Sequence, residues 1–127
     1  MMQQISDYEL ELMKVIWGNG GTALYAEITA ALSAKGMDWT KNTIITLLSR
    51  LTEKGLLKKS KIGHRNKYIA VVSETGYQAA QTETFLGKVY DRDAKGLVSM
   101  LIQNEWLSAD DYEDLKNYWQ GGGIKNE

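Results

Sequence analysis

Residues 39–55 have the sequence WTKNTIITLLSRLTEKG, and this segment carries the clearest helical pattern in the chain. Thr40 is a residue type that caps helices, and Gly55 stands where a helix commonly ends. The apolar side chains recur at i, i+3, i+4 and i+7 and share one side of the predicted helix: Ile44, Leu47, Leu48 and Leu51. The opposite side is polar, so the segment predicts an amphipathic helix that leaves one face free for contacts.

Two helices are predicted before this segment. Ser6 and Glu9 have the spacing of a capping box, and the helical repeat that follows them ends at the run GNGG, residues 18–21. Thr22 is expected to cap the second helix, which ends at Gly36. The apolar positions of this second helix are Leu24, Ile28 and Leu32.

The helical period ends after residue 55. Residues 56–62 (LLKKSKI) have too few apolar positions for a helix, and residues 67–72 (KYIAVV) are rich in β-branched and aromatic side chains. Between them lie the turn-forming residues 63–66 (GHRN), so we predict a two-stranded hairpin. A lone hairpin is marginal in water and must pack on the preceding helices. The fold class is therefore mainly α with a small β-hairpin, a winged helix-turn-helix.

Charge is distributed unevenly along the 127 residues, which carry 15 Lys and Arg, 16 Asp and Glu, and a net charge of −1. Residues 35–70 hold nine bases and two acids, a net of +7, whereas residues 1–34 sum to −3 and residues 71–127 to −5. A basic band within an otherwise acidic chain is typical of a surface that binds a polyanion. A solvated basic face without a partner is the alternative.

In a helix-turn-helix the second helix of the pair enters the major groove, and a basic wing reaches phosphates or the adjacent minor groove. Side-chain amides, hydroxyls and guanidinium groups on such a helix can bind base edges, although any amphipathic helix also has a polar face. Ile45 lies beside this face and either packs laterally or contacts a thymine methyl group. The candidate DNA-binding residues are Thr40, Lys41, Asn42, Thr43, Thr46, Ser49, Arg50, Lys61, His64, Arg65 and Lys67.

Residues 73–120 predict further helices. Ser73 can cap one that extends to Tyr90, a second segment begins at Ala94, and Ser108 with Asp111 resembles another capping box. Three short acidic helices make a thin core, so they pack either on the winged-helix domain or, as we favour, on a second copy of themselves. The candidate dimerisation residues are Phe85, Tyr90, Leu97, Val98, Leu101, Trp106, Leu115 and Trp119.

The predicted domains are a winged-helix DNA-binding domain over residues 1–72, a helical dimerisation domain over residues 73–120, and a flexible tail over residues 121–127. The absence of Cys and the presence of a single His, His64, argue against thiolate and multi-histidine metal sites, so we expect no metal and no cofactor. No apolar run approaches membrane-spanning length, and the N-terminus lacks the regions of a signal peptide, which favours a cytoplasmic protein without membrane insertion.

Enzyme motifs are also missing from the sequence. It contains no Gly-x-Ser-x-Gly elbow, no phosphate-binding loop and no His-based acid–base pair, so we expect no catalysis.

Several segments together resemble the BlaI/MecI family of penicillinase and methicillin-resistance repressors, which includes copper-responsive repressors. They are residues 5–17 (ISDYELELMKVIW), residues 39–55, the wing with Gly63 and Tyr68, and residues 83–105 (ETFLGKVYDRDAKGLVSMLIQNE). The resemblance implies a homodimeric winged-helix repressor of dyad operators of the TACA…TGTA kind. It places operator contacts at Thr43, Thr46, Arg50, Arg65 and Lys67. At Asn42 and Ile45 some relatives carry Lys and Arg, a difference that bears on phosphate contacts and operator preference.

The resemblance also suggests two modes of regulation. Copper-responsive members end in clustered cysteines, which this sequence lacks, so copper sensing through thiolates is excluded. In β-lactam-responsive members a membrane sensor-protease system leads to cutting at an Asn-Phe bond in the dimerisation region. The corresponding residues here are Met100 and Leu101, so cleavage at this possible regulatory site would require a different specificity.

The residue patterns predict a homodimer that binds DNA. The resemblance implies that it is a transcriptional repressor, that its operator is a dyad, and that it controls β-lactam-resistance or related stress genes. The alternative is a winged-helix adaptor that binds proteins and not DNA. Binding to a DNA duplex distinguishes the two hypotheses.

Overall fold

The computed structural model describes residues 4–121, so the predicted tail lies outside the described residues except for Gly121. The chain has two compact units, Met1–Gln81 and Thr82–Glu127, and contacts between residues are concentrated within each unit. The elements in chain order are α1 (Asp7–Gly18), β1 (Thr22–Leu24), α2 (Tyr25–Ala34), α3 (Lys41–Glu53), β2 (Leu57–Ile62), β3 (Arg65–Ala70), α4 (Glu74–Tyr90), α5 (Ala94–Gln103) and α6 (Ala109–Gln120).

Local capping explains where α1 and α3 begin. The Ser6 hydroxyl accepts a hydrogen bond from the Glu9 N–H at 3.1 Å, and the Glu9 carboxylate accepts one from the Ser6 N–H at 2.7 Å. The Thr40 hydroxyl accepts from the Thr43 N–H at 3.2 Å. Both caps satisfy backbone donors that have no partner within the helix, as the sequence pattern predicts.

The start of the second helix differs from the prediction. Thr22 does not cap it, because Thr22–Leu24 is a short strand that pairs antiparallel with β3, with Thr22 opposite Ile69. The helix begins at Tyr25, and the Glu27 carboxylate accepts the Leu24 N–H at 2.8 Å. Pairing with a strand more than forty residues away is a tertiary interaction, and the local sequence gives no signal of it.

The predicted hairpin is confirmed, but it belongs to a three-stranded sheet of order β1-β3-β2. β2 pairs with β3 from Leu57 opposite Ala70 to Ile62 opposite Arg65. The turn is shorter than residues 63–66 and consists of Gly63 and His64, since Arg65 and Asn66 already lie in β3. Gly63 has a φ of +63°, a conformation that glycine adopts without steric cost.

The core of the first unit is built around α3. Its predicted apolar stripe is buried and packs with side chains from α1, α2 and the sheet. Trp17 extends this core, because its Nε1–H donates to the Val72 carbonyl at 2.9 Å and its ring centroid lies 5.6 Å from that of Tyr77. The first turns of α4 therefore pack with the winged helix.

The second unit is held by local interactions. Asp93 caps α5 by accepting the Gly96 N–H at 3.0 Å, and Ser108 and Asp111 form the predicted capping box of α6. The Phe85 and Tyr90 ring centroids lie 5.7 Å apart. Within residues 82–121 no side chain is buried, so the described part of this unit has no hydrophobic core of its own.

In the described part of the chain, no helix has both the length and the apolar character needed to cross a bilayer.

A partly buried ion pair joins α1 to the end of α3. Glu9 is only 1% exposed, and its Oε1 lies 2.8 Å from the Nζ of Lys54, the residue that follows α3. Burial by itself raises the pKa of Glu9, but the hydrogen bonds from Lys54 and Ser6 and the charge of Lys54 outweigh it. The net pKa is therefore lowered from its ordinary value of 4.5.

Replacing Glu9 by Gln should lower the free energy of unfolding at pH 7 by about 1–3 kcal/mol, because the charge-assisted hydrogen bonds are lost within the core. Because folding lowers the pKa of Glu9, the carboxylate stabilises the fold fully above about pH 4.5 and loses this effect as the pH falls through the folded-state pKa. The difference between wild type and Glu9→Gln should therefore shrink in acid. Urea denaturation across this pH range measures it.

Glu11→Gln is the matched control, since Glu11 forms only surface pairs with Lys14 and Lys35, at 3.9 and 3.6 Å. We expect this control to cost less than about 1 kcal/mol. If both variants lose the same free energy of unfolding, the Glu9–Lys54 pair stabilises the fold no more than a surface ion pair does.

Candidate nucleic-acid interface

The exposed face of α3 carries the polar candidate residues from the helix and its cap. While the apolar stripe is buried, all the candidates on the other side are exposed: Thr40, Lys41, Asn42, Thr43, Thr46, Ser49 and Arg50. Burial of one side thus orients the other outward, and the helix presents amide, hydroxyl and guanidinium groups on a single surface. These are the groups that can hydrogen-bond to base edges.

The wing brings further basic side chains to this surface. Lys61, His64 and Arg65 are exposed, and Lys67 is half-buried where β3 pairs with both β1 and β2. His64 and Arg65 share the walls of a depression of about 450 Å³ with Lys41 and Ile45 of α3. The turn of the hairpin and the start of α3 therefore line the same depression. A helix and a wing that bind the same ligand need this arrangement.

Four residues on the walls of this depression were not predicted from the sequence: Leu24, Tyr25, Ala26 and Asn66. Leu24 and Tyr25 reach it because β1 pairs with β3, which the local sequence does not indicate. Asn66 was assigned to the turn, whereas it lies in β3 with a buried Oδ1 that accepts no hydrogen bond from residues 4–121.

The positive charge of this surface is not neutralised by neighbouring acids. The ion pairs found among residues 4–121 involve Lys14, Lys35, Lys54 and Arg92. In that part of the chain, no candidate basic residue of α3 or the wing pairs with a carboxylate. The first turn of α3 carries no acid, so the helix dipole adds to the positive potential at this end.

Thr40 has a structural role within the interface. Besides accepting the Thr43 N–H, its hydroxyl donates to the Thr43 Oγ1 at 3.0 Å. Both side chains are thereby held at the N-terminal end of α3. A contact of Thr40 with DNA stays a prediction.

The predicted dimerisation residues lie in the second unit and carry much of its exposed apolar surface. Leu97, Leu101 and Tyr90 are half-buried, and the others are 45–71% exposed: Phe85, Val98, Trp106, Leu115 and Trp119. A groove of about 620 Å³ runs between α5 and α6, and its lining includes Val98, Leu115 and Trp119. Met100 and Leu101 are consecutive residues within α5, and the Met100 carbonyl also accepts the Asn104 side-chain N–H at 3.0 Å.

Comparison with known proteins identifies the family of the chain. A family model described as "Penicillinase repressor" matches residues 5–121. The chain belongs to the penicillinase repressor family. Within this family it is 35% identical over 112 residues to the penicillinase repressor of Bacillus licheniformis, a match that covers 88% of this chain and 86% of that protein. It is 32% identical over 116 residues to the methicillin resistance regulatory protein MecI of Staphylococcus aureus strain N315, covering 90% and 91% of the two chains.

A solved structure within the family is also similar. It is the solution structure of the monomeric form of Bacillus licheniformis BlaI in complex with the blaP half-operator. The TM-score is 0.51 at 40% sequence identity, and the match covers 61% of this chain and 92% of that chain. Together these findings confirm the resemblance to BlaI and MecI and the winged-helix fold.

In the described residues, no group of three or more His, Asp or Glu side chains is placed to hold a metal ion.

Replacing Thr40 by Ala should lower the free energy of unfolding by about 1 kcal/mol, because the Thr43 N–H loses its acceptor at the N-terminus of α3. Thr40→Ser keeps a hydroxyl at the same position and should retain most of this stability. Urea denaturation of the two variants and the wild type measures the difference. If the Ala and Ser variants are equally stable, the cap contributes nothing.

Proposed function

We propose that the chain is a transcriptional repressor that binds a dyad operator in double-stranded DNA as a homodimer, and that it controls β-lactam-resistance or related stress genes. The single observation that supports this most strongly is the exposed polar face of α3 beside a basic wing turn, with no acidic partner among the described residues. A relative bound to a half-operator and relatives named for penicillinase and methicillin resistance support the same role.

In the proposed complex, α3 lies in the major groove and the wing contacts the flanking backbone. Asn42, Thr46 and Arg50 offer an amide, a hydroxyl and a guanidinium group to base edges. Lys41 and Arg65 both line the depression between helix and wing, where the phosphates between the two grooves would lie. Repression follows from occupation of promoter DNA in the cytoplasm, and the role requires no catalysis and no cofactor.

Salt dependence tests the DNA contact. Binding of the full chain to a duplex with the TACA…TGTA dyad should weaken steeply with salt, by a slope of about −0.9 in log affinity per phosphate contacted. Arg65→Gln should make this slope shallower by about 0.9 for each phosphate that the side chain no longer binds, and by twice that for a dimer. Fluorescence anisotropy at a series of salt concentrations measures both values.

Lys95→Gln is the matched control, because Lys95 is an exposed base in the second unit. It should leave the slope unchanged. A wild-type chain that binds no duplex would favour the protein-binding adaptor, and an unchanged slope in Arg65→Gln would remove the wing from the interface.

Dimerisation is proposed from the second unit's exposed apolar side chains. Within residues 82–121 nothing is buried, yet α5 and α6 present aliphatic and aromatic groups around one groove. Contact with the same surface of a second copy would remove this apolar area from water and place two recognition helices on one dyad. Two linked half-sites then bind far more tightly than either alone.

Val98→Asp should convert the dimer to a monomer, because it places a charge on a 45%-exposed side chain that lines the groove. Sedimentation velocity should show the lower mass at concentrations where the wild type is a dimer. Affinity for the dyad should fall while affinity for a half-site is unchanged. Gln103→Asp, an exposed substitution at the end of α5, is the control and should stay dimeric. A dimeric Val98→Asp chain would contradict the proposed interface.

A membrane sensor-protease system is proposed as the regulatory partner, with cleavage between Met100 and Leu101. Both residues lie inside α5, so the helix must open locally before a protease can bind the chain there. Cutting at this bond would separate α6 from α4 and thereby divide the proposed dimer surface. The dimer would then lose the avidity that comes from two half-sites.

A further inference from the structure

Ile45 is an apolar side chain on a polar and basic surface. It is 38% exposed, whereas the neighbouring Ile44 of the same helix is 4% exposed and belongs to the core. One turn away on either side lie Lys41 and Ser49, which are both exposed. Ile45 therefore stands within the proposed DNA-binding face and not at its boundary with the core.

Lateral packing does not account for Ile45. The nearby residues of α2 and its N-cap, Leu24, Tyr25 and Ala26, line the same depression and are the side chains that could cover it. With these neighbours in place, more than a third of Ile45 is still accessible. Its accessible part lines an open depression together with Lys41 and Arg65, the side chains proposed to contact phosphates.

The chemistry of the major groove restricts what an aliphatic side chain can select. Thymine presents a 5-methyl group there beside its O4 acceptor, whereas adenine, guanine and cytosine present hydrogen-bond donors and acceptors but no methyl group. Ile has no polar atom, so against those edges it would displace water without replacing the hydrogen bonds that water makes. Against a thymine methyl it buries apolar surface on both sides.

We propose that Ile45 is a specificity-determining residue that selects thymine in the operator half-site by contact with the 5-methyl group. This inference rests on the proposed function, because it assumes that α3 lies in the major groove. It gives this chain a preference that a relative with a charged side chain at the same position would not share.

The test compares thymine with uracil, which differs only by the methyl group. Duplexes are first selected from a random pool by the full chain, and each thymine of the selected half-site is then replaced by deoxyuridine in turn. For the wild type we expect one position at which loss of the methyl weakens binding by about fourfold per half-site. Ile45→Ala should bind the thymine and uracil duplexes equally at that position, and Ile45→Val should fall between.

Two controls separate this contact from others. Thr46→Ser removes the side-chain methyl group of the residue next to Ile45 while keeping its hydroxyl, and it should leave the thymine preference at the Ile45 position unchanged. Val71→Ala truncates an aliphatic side chain that is 59% exposed but lies outside the interface, and it should change nothing. Thermal unfolding confirms that each variant is folded.

The outcomes distinguish the inference from the proposed function. In one, selected duplexes bind the wild type equally well with thymine or uracil at every position; in another, Ile45→Ala keeps the wild-type preference for thymine. Either result would show that Ile45 does not select thymine, while the proposed DNA binding would stand. If no duplex is selected at all, both proposals fail.

Discussion

Burial of the apolar stripe of α3 is the interaction on which the rest of the first unit depends. Ile44, Leu47, Leu48 and Leu51 pack with side chains from α1, α2 and the sheet. Removal of this shared core from water is the main favourable contribution to the free energy of folding. The same packing fixes the rotation of α3 about its axis. The polar residues on the other side must therefore face outward, so the stability of the core and the geometry of the interface have one origin.

Two additional contacts hold this helix in place without using its exposed face. The Glu9–Lys54 pair joins the start of α1 to the end of α3, and the Thr40 cap fixes the first turn. A recognition surface benefits from such support, because side chains that are already oriented lose less conformational freedom on binding. The basic residues of α3 and the wing, by contrast, have no acidic partners in the described chain. Their charge is available to attract phosphates.

The second unit follows a different physical principle. Its helices are capped locally by Asp93 and Ser108, yet no side chain between residues 82 and 121 is buried. Exposed apolar groups on this scale are typical of interaction surfaces. The proposed dimer gives these groups a partner and removes them from water.

Local sequence determined the capped helices, because their hydroxyl and carboxylate caps lie within a few residues of the groups they bind, and it determined the buried side of α3 through the helical period. It also indicated the hairpin and the basic band. It could not indicate that Thr22–Leu24 forms a strand, since those residues acquire their partners only when β3 folds against them. The depression that unites Lys41, Ile45, His64 and Arg65 likewise depends on that long-range pairing. Short-range hydrogen bonds and periodicity are visible in one sequence, whereas contacts between distant segments are decided by the packing of the whole unit.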